Sequence, residues 1–247
     1  MEVKLTVSES KRLIAKGVAA HPAVIQAMSQ GYVVLCKGTT DAYVAEELLG
    51  KPIQKTDYVT GHTLPVRRNR PAHVSATLPD LVFKDGKVMK DVTATGVVGD
   101  LGPGDVFIKG ANALNYDRQQ AGLLIGHPTG GTLGATIGVL VARSVRVLVP
   151  VGFEKSIPGD LHDLAEYVGE VRRRDASTPA FWPIPGELLT EIEALEVLTG
   201  SEAVVIGSGG IGGAEGGVRL LVTGSQKQIE KAVALIEEIQ GEPAFLD

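Results

Sequence analysis

Aromatic side chains, cysteine and long apolar runs are all scarce in this chain of 247 residues. The single cysteine, Cys36, excludes an internal disulfide and is typical of a protein of the reducing cytoplasm, where we expect this one to reside. The longest apolar run, GATIGVLVA, is much shorter than the roughly 20 residues that cross a bilayer. The N-terminal residues lack the apolar core of a signal peptide. We therefore expect no membrane partner.

Neither sign of charge dominates the chain. Its 24 Lys and Arg face 29 Asp and Glu, which gives a net charge of −5 and excludes a general attraction to nucleic acid. The arginine clusters RRNR (67–70) and RRR (172–174) are interpreted as solvated loops. An alternative for the first cluster is contact with a ligand phosphate or a neighbouring subunit. We also expect a homo-oligomer.

The chain is rich instead in glycine, with 31 residues, and in short apolar segments that alternate with polar turns. This alternation predicts an α/β fold. The expected elements are two helices in 8–30, a buried strand in 31–38, a helix over 41–49, a hairpin in 83–89 with Asp85-Gly86 at its tip, a strand in 104–112, a strand, loop and helix in 121–143, a strand over 145–152 and a helix over 157–171. Ser8 or Ser10 is expected to cap the first helix, Pro22 to lie in the first turn of the second, and Asp160 to cap the helix over 157–171.

The C-terminal part has a different order of elements. Residues 172–186 hold three prolines and are predicted to be a linker. After them we expect a helix from residue 187, strands in 201–210 and 216–224, a helix over 225–241 capped by Ser225, and a possible last strand in 242–246. We therefore predict a Rossmann-like α/β domain over 1–175, with an inserted β-rich segment at about 52–100, and a small ferredoxin-like α+β unit over 187–247.

Three predicted strands end in small polar loops. In open α/β sheets the carboxyl ends of parallel strands gather at one edge, where ligands bind. Glycine lets the backbone approach an anion, and a helix N-terminus adds free N–H groups. We expect an anion-binding site there, the alternative being that each loop only turns the chain. The substrate-binding residues proposed on this basis are Lys37, Gly38, Thr39, Thr40, Lys109, Gly110, Thr129, Gly130, Gly131 and Thr132.

Candidate groups for chemistry are few. His127 lies in the third loop, and an imidazole suits acid–base work near neutral pH, although it is equally suited to bonding the backbone of its loop. Asn112 and Asp117 are the other predicted catalytic residues. Cys36 is interpreted as a buried small hydrophobe. No metal-ligand spacing is present, and no cofactor is expected. The glycine run 206–217 has two interpretations, a flap over the sheet edge and a long hairpin turn.

The segments VVLCKGTTDAYVAEEL, GDVFIKGANALN and AGLLIGHPTGGTLGATIGVLVARSVRVLVPVGFEK resemble one superfamily over about residues 8–160. It includes ribose-5-phosphate isomerase, glucosamine-6-phosphate deaminase, the coenzyme A transferases and translation initiation factor 2B subunits. The isomerase also carries a small ferredoxin-like unit, to which 187–247 is similar. The resemblance implies a sugar-phosphate loop at Gly38–Thr40, with second and third loop elements at Gly110-Ala111 and Gly130-Gly131.

The chain also departs from that pattern. Where the isomerase has acidic residues around its Gly-Ala element, this chain has Lys109, Asn112 and Asn115. No acid follows the third loop. A coenzyme A transferase needs a nucleophilic glutamate at a strand end, and Glu154, after LVPVGF, is the candidate.

Three hypotheses about function follow from these observations. The first is an enzyme acting on a sugar phosphate or a coenzyme A-linked substrate. The second is a metabolite-binding or regulatory module without catalysis, and the third is a structural subunit of a larger complex.

Overall fold

A computed structural model of the chain describes residues 1–63 and 77–246, so the RRNR cluster at 67–70 lies outside the described residues. The fold is mixed α/β. In chain order, the helices and strands are β1 Glu2–Leu5, α1 Val7–Ala20, α2 Pro22–Gln30, β2 Tyr32–Leu35, α3 Thr39–Leu49, β3 Leu81–Lys84, β4 Lys87–Val88, α4 Ala94–Val97, β5 Val106–Ile108, β6 Ala113–Asn115, β7 Gln120–Ile125, α5 Gly131–Ala142, β8 Arg146–Pro150, α6 Leu161–Arg174, β9 Ala180–Ile184, β10 Glu187–Leu189, α7 Glu191–Thr199, β11 Glu202–Ser208, β12 Val218–Thr223 and α8 Gln226–Ile239.

A six-stranded mixed sheet forms the centre, in the order β10–β8–β5–β2–β3–β4. The first four strands in this order are parallel to one another. Strand β3 runs antiparallel to β2, and β4 runs antiparallel to β3. Val33 of β2 is opposite Val106 of β5, and Ile108 is opposite Leu148 of β8. The carboxyl ends of β2, β5, β8 and β10 therefore lie along one edge, which we call the carboxyl edge.

Each face of the central sheet has its own apolar core. On one face, buried residues of α1, α2, α3 and α7 pack against alternate residues of β2, β5 and β8. On the other face, α4, α5 and a three-stranded antiparallel sheet, β6–β7–β9, cover the sheet. Helix α6 packs against β9.

A third sheet, also antiparallel, has the order β1–β12–β11, so its outer strand comes from the N-terminus. Strand β1 was not among the predicted elements. Its apolar and polar residues nevertheless alternate regularly, because Val3 and Leu5 are buried whereas Glu2 and Lys4 are exposed. The prediction of a last strand in 242–246 is wrong, since these residues form no strand.

The predicted linker over 172–186 is also wrong. Helix α6 continues to Arg174, and 180–184 form β9. Pro183 is compatible with a strand here because β9 lies at the edge of its sheet, where a missing N–H leaves no ladder bond unmade. The helix expected from residue 187 begins at Glu191, because Glu187–Leu189 pair with β8 in the central sheet.

Several local predictions are confirmed. Asp85 and Gly86 have positive φ angles of 48° and 74°, as a tight hairpin requires. Asp160 caps α6, Pro22 begins α2, and Ser225 precedes α8.

The capping prediction for α1 is wrong. Thr6 is the N-cap of this helix, and Thr6 and Glu9 form a reciprocal capping box in place of Ser8 or Ser10. The pattern Thr-x-x-Glu was therefore the correct signal, two residues earlier than the predicted start.

The segment 52–100 contains less strand than its composition predicts. Among its described residues, strands occur at β3 and β4, and the other regular elements are helical turns at Lys55–Tyr58, Ala94–Val97 and Val98–Asp100. Strand β3 pairs with β2 and so extends the central sheet. No helix in residues 1–63 and 77–246 is long and apolar enough to cross a membrane.

Helix α1 packs closely against α7. A Cβ atom built on Gly17 would lie 2.7 Å from the Cβ and 2.8 Å from the Cα of Ala194. Real Cβ atoms do not approach that closely, so the two helices are in contact because residue 17 has no side chain. The N-terminal helix thus shares a core with α7 and α8. The domain division at 175–187 stays a prediction.

We predict that Gly17→Ala lowers the free energy of unfolding by roughly 1–3 kcal/mol, because the added methyl group forces α1 and α7 apart. Gly169→Ala, in α6, is the matched control, since a Cβ there meets no atom within 4 Å. The control substitution is expected to stabilise the protein by up to about 1 kcal/mol through helix propensity. Urea denaturation of both variants measures the difference, and equal effects would contradict the packing argument.

Candidate functional site

Two of the three predicted loops lie together at the carboxyl edge. Lys37–Thr40 follow β2 and Lys109–Asn112 follow β5, and these strands are neighbours. The side chain of Asp41 joins the loops, because the Gly110 N–H donates to its two oxygens at 3.1 and 3.2 Å. Lys37 and Thr39 are half-buried, and Thr40 is buried.

The Asp41 carboxyl is fully buried. Burial raises the pKa of Asp41 to about 6, against the lowering effects of Lys109 and the Gly110 N–H. The Gly38 N–H donates to the Tyr58 carbonyl at 3.1 Å. Two amides predicted to face an external anion therefore already bind oxygen atoms of the protein itself.

The third loop does not belong to the carboxyl edge. Its strand, β7, is the central strand of the antiparallel sheet β6–β7–β9 and is not part of the parallel sheet. His127 and Thr129 are exposed, and His127 Nδ1 lies 2.9 Å from Thr129 Oγ1. Gly130 is the N-cap of α5, which Gly131 and Thr132 begin. The local geometry is that of a helix start on a different sheet.

The predicted catalytic residues are not gathered around one point. The side-chain oxygen of Asn112 accepts a hydrogen bond from the Leu124 N–H at 3.0 Å, so Asn112 stabilises β7. Asp117 lies in the exposed turn between β6 and β7, at the opposite end of β7 from His127. Cys36 is buried, and burial raises the pKa of its thiol, in agreement with its interpretation as a small hydrophobe.

A different set of ionisable groups meets further along the carboxyl edge, beyond β8 and β10. Glu154 lies in the helical turn Phe153–Lys155 that follows β8, and Glu191 is the first residue of α7, directly after β10 and Thr190. Because β8 and β10 are parallel neighbours, the two glutamates meet. We call Glu154 and Glu191 the buried carboxyl pair.

Glu191 is 1% exposed, and both of its carboxylate oxygens lie 3.2 Å from the Phe153 N–H that donates to them. Burial, followed by the charge of Glu154, raises the pKa of Glu191 to about 8. Hydrogen bonds from Phe153 and Ser10 act in the opposite direction. At neutral pH Glu191 is therefore mainly protonated.

The Glu154 side chain is 10% exposed, and its two oxygens are buried without a hydrogen-bond partner among the described residues. Its nearest cation is Lys11, whose Nζ lies 3.3 Å from Oε1 in an ion pair. The Nζ of Lys155 lies 3.8 Å from the same oxygen. Buried polar atoms nearly always have partners, so an unbonded buried carboxylate requires an explanation.

Lys11, in α1, is 6% exposed. Burial lowers its pKa, and the negative charge of Glu154 opposes that effect. Lys11 and the buried carboxyl pair together form the candidate site. Their residue types allow proton transfer, nucleophilic attack and binding of an anion.

The glycine run lies beside this site. Residues 209–217 connect β11 to β12, and the Gly209 N–H donates to the Gly217 carbonyl at 2.7 Å, so the segment is a hairpin turn. A Cβ atom on Gly216 would lie 3.0 Å from Val7 and 4.0 Å from the Cβ of Glu154. The hairpin-turn interpretation is confirmed, whereas the flap interpretation stays a prediction.

An open groove of about 690 Å³ lies on the other side of Phe153. The rings of Tyr116 and Phe153 line it with centroids 5.0 Å apart, and the Tyr116 hydroxyl donates to Glu193 at 2.7 Å. Phe153 and Ile192, each next in sequence to a member of the buried carboxyl pair, are groove residues. The groove therefore borders the candidate site.

Sequence reasoning identified only one member of this site, Glu154, through the family resemblance. It missed Glu191 because the helix was predicted to begin at residue 187, which hid that strand β10 places Glu191 at the start of α7. It missed Lys11 because a lysine in an amphipathic helix usually faces water. Within residues 1–63 and 77–246, no three His, Cys, Asp or Glu side chains are arranged to hold a metal ion.

We predict that Asp41→Ala lowers the free energy of unfolding by about 1–3 kcal/mol, because it leaves the buried Gly110 N–H without an acceptor. Asp41→Asn is the control, since its amide oxygen can still accept that N–H. Urea denaturation measures both variants. A loss from Asp41→Asn as large as that from Asp41→Ala would contradict the structural role of the hydrogen bond.

We predict that the Glu191→Gln substitution changes the pH dependence of stability. The pKa of Glu191 is 4.5 in its ordinary state and about 8 when folded, so the folded protein holds an extra proton between these values. The contribution of Glu191 to the free energy of unfolding therefore falls as the pH rises from about 4.5 to about 8. Glu191→Gln removes that contribution and should gain, relative to wild type, roughly 3–4 kcal/mol between pH 5 and pH 8.

Urea denaturation at a series of pH values measures this difference. Glu196→Gln, at an exposed position of the same helix, is the control and should follow the wild-type slope. Parallel slopes for wild type and Glu191→Gln would show that Glu191 does not titrate as its burial implies.

Comparisons of the chain with known protein families, with curated proteins and with solved structures found no match.

Proposed function

We propose that the protein is an enzyme that acts on a small anionic metabolite at the carboxyl edge, with Glu154 as the group that moves a proton. The observation that carries this proposal is the Glu154 carboxylate, whose two oxygens are buried and lack a hydrogen-bond partner among the described residues. A substrate O–H, N–H or activated C–H would supply the missing donor. Such a carboxylate beside a cation is poised to act as a base.

The environments of the two glutamates support separate roles. The pKa of Glu191 is raised to about 8, so it is a proton donor at neutral pH. Glu154 lies 3.3 Å from Lys11 Nζ, and its oxygens lack a hydrogen-bond partner among the described residues, so it is the proposed proton acceptor. Two carboxyl groups in different environments can provide an acid and a base in one site. Glu154 would take a proton from the substrate, and Glu191 would return one to the product.

The lysines around the edge favour a negatively charged substrate. Lys37, Lys109 and Lys155 are half-buried there, on loops that follow β2, β5 and β8. Their charges suit a phosphate or carboxylate group held at the mouth of the site. A sugar phosphate or a coenzyme A-linked compound, as the family resemblance implies, meets this requirement.

We propose the finer fold assignment on the same basis. The parallel strands β2, β5, β8 and β10, with helices on both faces, suit a Rossmann-like sheet. The succession α7–β11–β12–α8 suits a ferredoxin-like unit. We also propose that the protein is a cytoplasmic homo-oligomer and that its reaction needs no cofactor.

The alternative is a metabolite-binding or regulatory module without turnover. The observation that favours it is burial, since Lys11 is only 6% exposed and the Glu154 side chain 10%. A ligand held by such enclosed groups would leave slowly, and slow release suits a binding module.

Exchange of substrate protons with solvent separates the two functions. The full chain is incubated in D₂O with ribose 5-phosphate, glucosamine 6-phosphate and acetyl-coenzyme A, and deuterium incorporation is followed by NMR. We expect incorporation into one of these compounds, reduced about 10²-fold or more in Glu154→Gln because the base is lost. Glu170→Gln, on the exposed face of α6, is the control and should match wild type.

Each other outcome has a defined meaning. A thermal shift with no deuterium incorporation would favour the binding module. Incorporation that persists in Glu154→Gln would remove Glu154 from the mechanism. Neither binding nor exchange with any of the three compounds would contradict a site for this class of metabolite.

A further inference from the structure

We propose that Lys11 is a nucleophile that forms an imine with its substrate, so that the substrate is an aldehyde or ketone carrying an anionic group. This inference rests on the proposed function, because it uses the same site and names the substrate class. It assigns to Lys11 a covalent role that proton transfer by the buried carboxyl pair does not require.

The surroundings of Lys11 differ from those of a structural cation. Arg12, its neighbour in the chain, donates hydrogen bonds to three carboxylates, those of Glu46, Glu47 and Glu242. A buried charge needs this kind of complete pairing to be tolerated. Lys11 is buried as deeply, but its contact with a carboxylate is one ion pair, at 3.3 Å.

The partner of Lys11 is also incompletely bonded. Both Glu154 oxygens are buried and lack a hydrogen-bond partner among the described residues, although Lys11 Nζ is near. The single ion pair with Lys11 at Oε1 therefore leaves Glu154 Oε2 without a donor among the described residues. An amine and a base that both retain bonding capacity in one buried place can act on a third group between them.

Burial supports the nucleophilic form of this amine. Desolvation is the largest influence on Lys11, and it lowers the pKa of the amine. A lysine becomes a nucleophile when it loses its proton, and enzymes achieve this by placing it in an apolar environment. Lys11 itself is 6% exposed, and Ala15, one turn further along α1, is fully buried.

The atoms balance without an external reagent. Lys11 first passes its ammonium proton to Glu154, and the neutral amine adds its lone pair to the carbonyl carbon. Glu154 gives that proton to the carbonyl oxygen, which becomes the hydroxyl of a carbinolamine, then takes a proton from the nitrogen and returns it to that hydroxyl. Water then leaves, and a protonated C=N bond joins Lys11 to the substrate beside the Glu154 carboxylate. Addition of water reverses these steps and releases the product.

Other lysines near the edge are less suited to this role. The Lys109 ammonium donates to the Gly110 carbonyl at 3.2 Å. The Lys155 side chain is 31% exposed and its Nζ lies 3.8 Å from Glu154, so it is less enclosed than Lys11. Lys16 and Lys55 belong to the ion pairs around Glu47 and Glu46. Lys11 alone in this group combines burial with a carboxylate that has bonding capacity to spare.

Borohydride trapping tests the proposal. The full chain is mixed with glyoxylate or with glyceraldehyde 3-phosphate at neutral pH and reduced with sodium borohydride, which converts an imine into a stable secondary amine. Peptide mass spectrometry then locates the adduct. We expect saturable labelling of Lys11 at low aldehyde concentration, at least tenfold ahead of every exposed lysine.

Three variants extend the experiment. Lys11→Arg keeps the positive charge and should remove the adduct, and Glu154→Gln should slow its formation at least tenfold. Lys87→Arg, on the exposed strand β4, is the control and should label as wild type does. Circular dichroism establishes that each variant is folded. If Lys11→Arg does not fold, the peptide map of the wild-type protein still locates the label.

The outcomes distinguish this inference from the proposed function. Labelling spread over exposed lysines, with none on Lys11, would overturn the imine. If deuterium exchange occurs and depends on Glu154 while no adduct forms, the imine alone is wrong. If neither exchange nor labelling occurs, both proposals fail.

Discussion

The burial of most of α1 is the constraint on which the rest of the structure depends. Leu13, Ile14 and Val18 of this helix are fully buried between the central sheet and the C-terminal elements. Gly17 permits the close contact with α7 that brings the C-terminal part of the chain onto the same core. A helix packed on several sides has no solvent-exposed stripe for its polar residues, and these must find partners in the interior.

The polar residues of α1 find those partners in two different ways. Arg12 connects α3 to the C-terminal segment through Glu46, Glu47 and Glu242, and this network fastens the helix in place. Lys11 points to Glu154 at the carboxyl edge. Removing one partner from either group would leave a buried charge uncompensated, which costs far more than the loss of an exposed ion pair. The Arg12 contacts use the hydrogen-bonding capacity of the guanidinium, whereas the Lys11–Glu154 pair retains some capacity to bond. This difference separates a structural network from a candidate site.

Much of the fold was predictable from the sequence, because its signals are local. The caps of α6 and α8, the Asp85-Gly86 turn and the apolar strands β2, β5 and β8 all depend on neighbouring residues. The errors concern pairing between distant segments. Strand β1 pairs with β12, and β10 is a strand because β8 lies beside it. The candidate site was missed for the same reason, since the burial of Lys11 and Glu191 depends on these long-range contacts and not on the residues around them.

The chain supplies its own carboxylate at Gly110, where a ligand anion was expected, and another at Phe153. Asp41, in the first turn of α3, binds the Gly110 amide, and Glu191, at the start of α7, binds the Phe153 amide. Helix N-termini favour negative charge, but here that capacity serves side chains of the protein itself. An anionic substrate would have to rely on lysines at the rim instead of on backbone amides. In the proposed function, the anionic group of the substrate therefore lies against these lysines and not against the Gly38 and Gly110 amides, which already bind oxygen atoms of the protein.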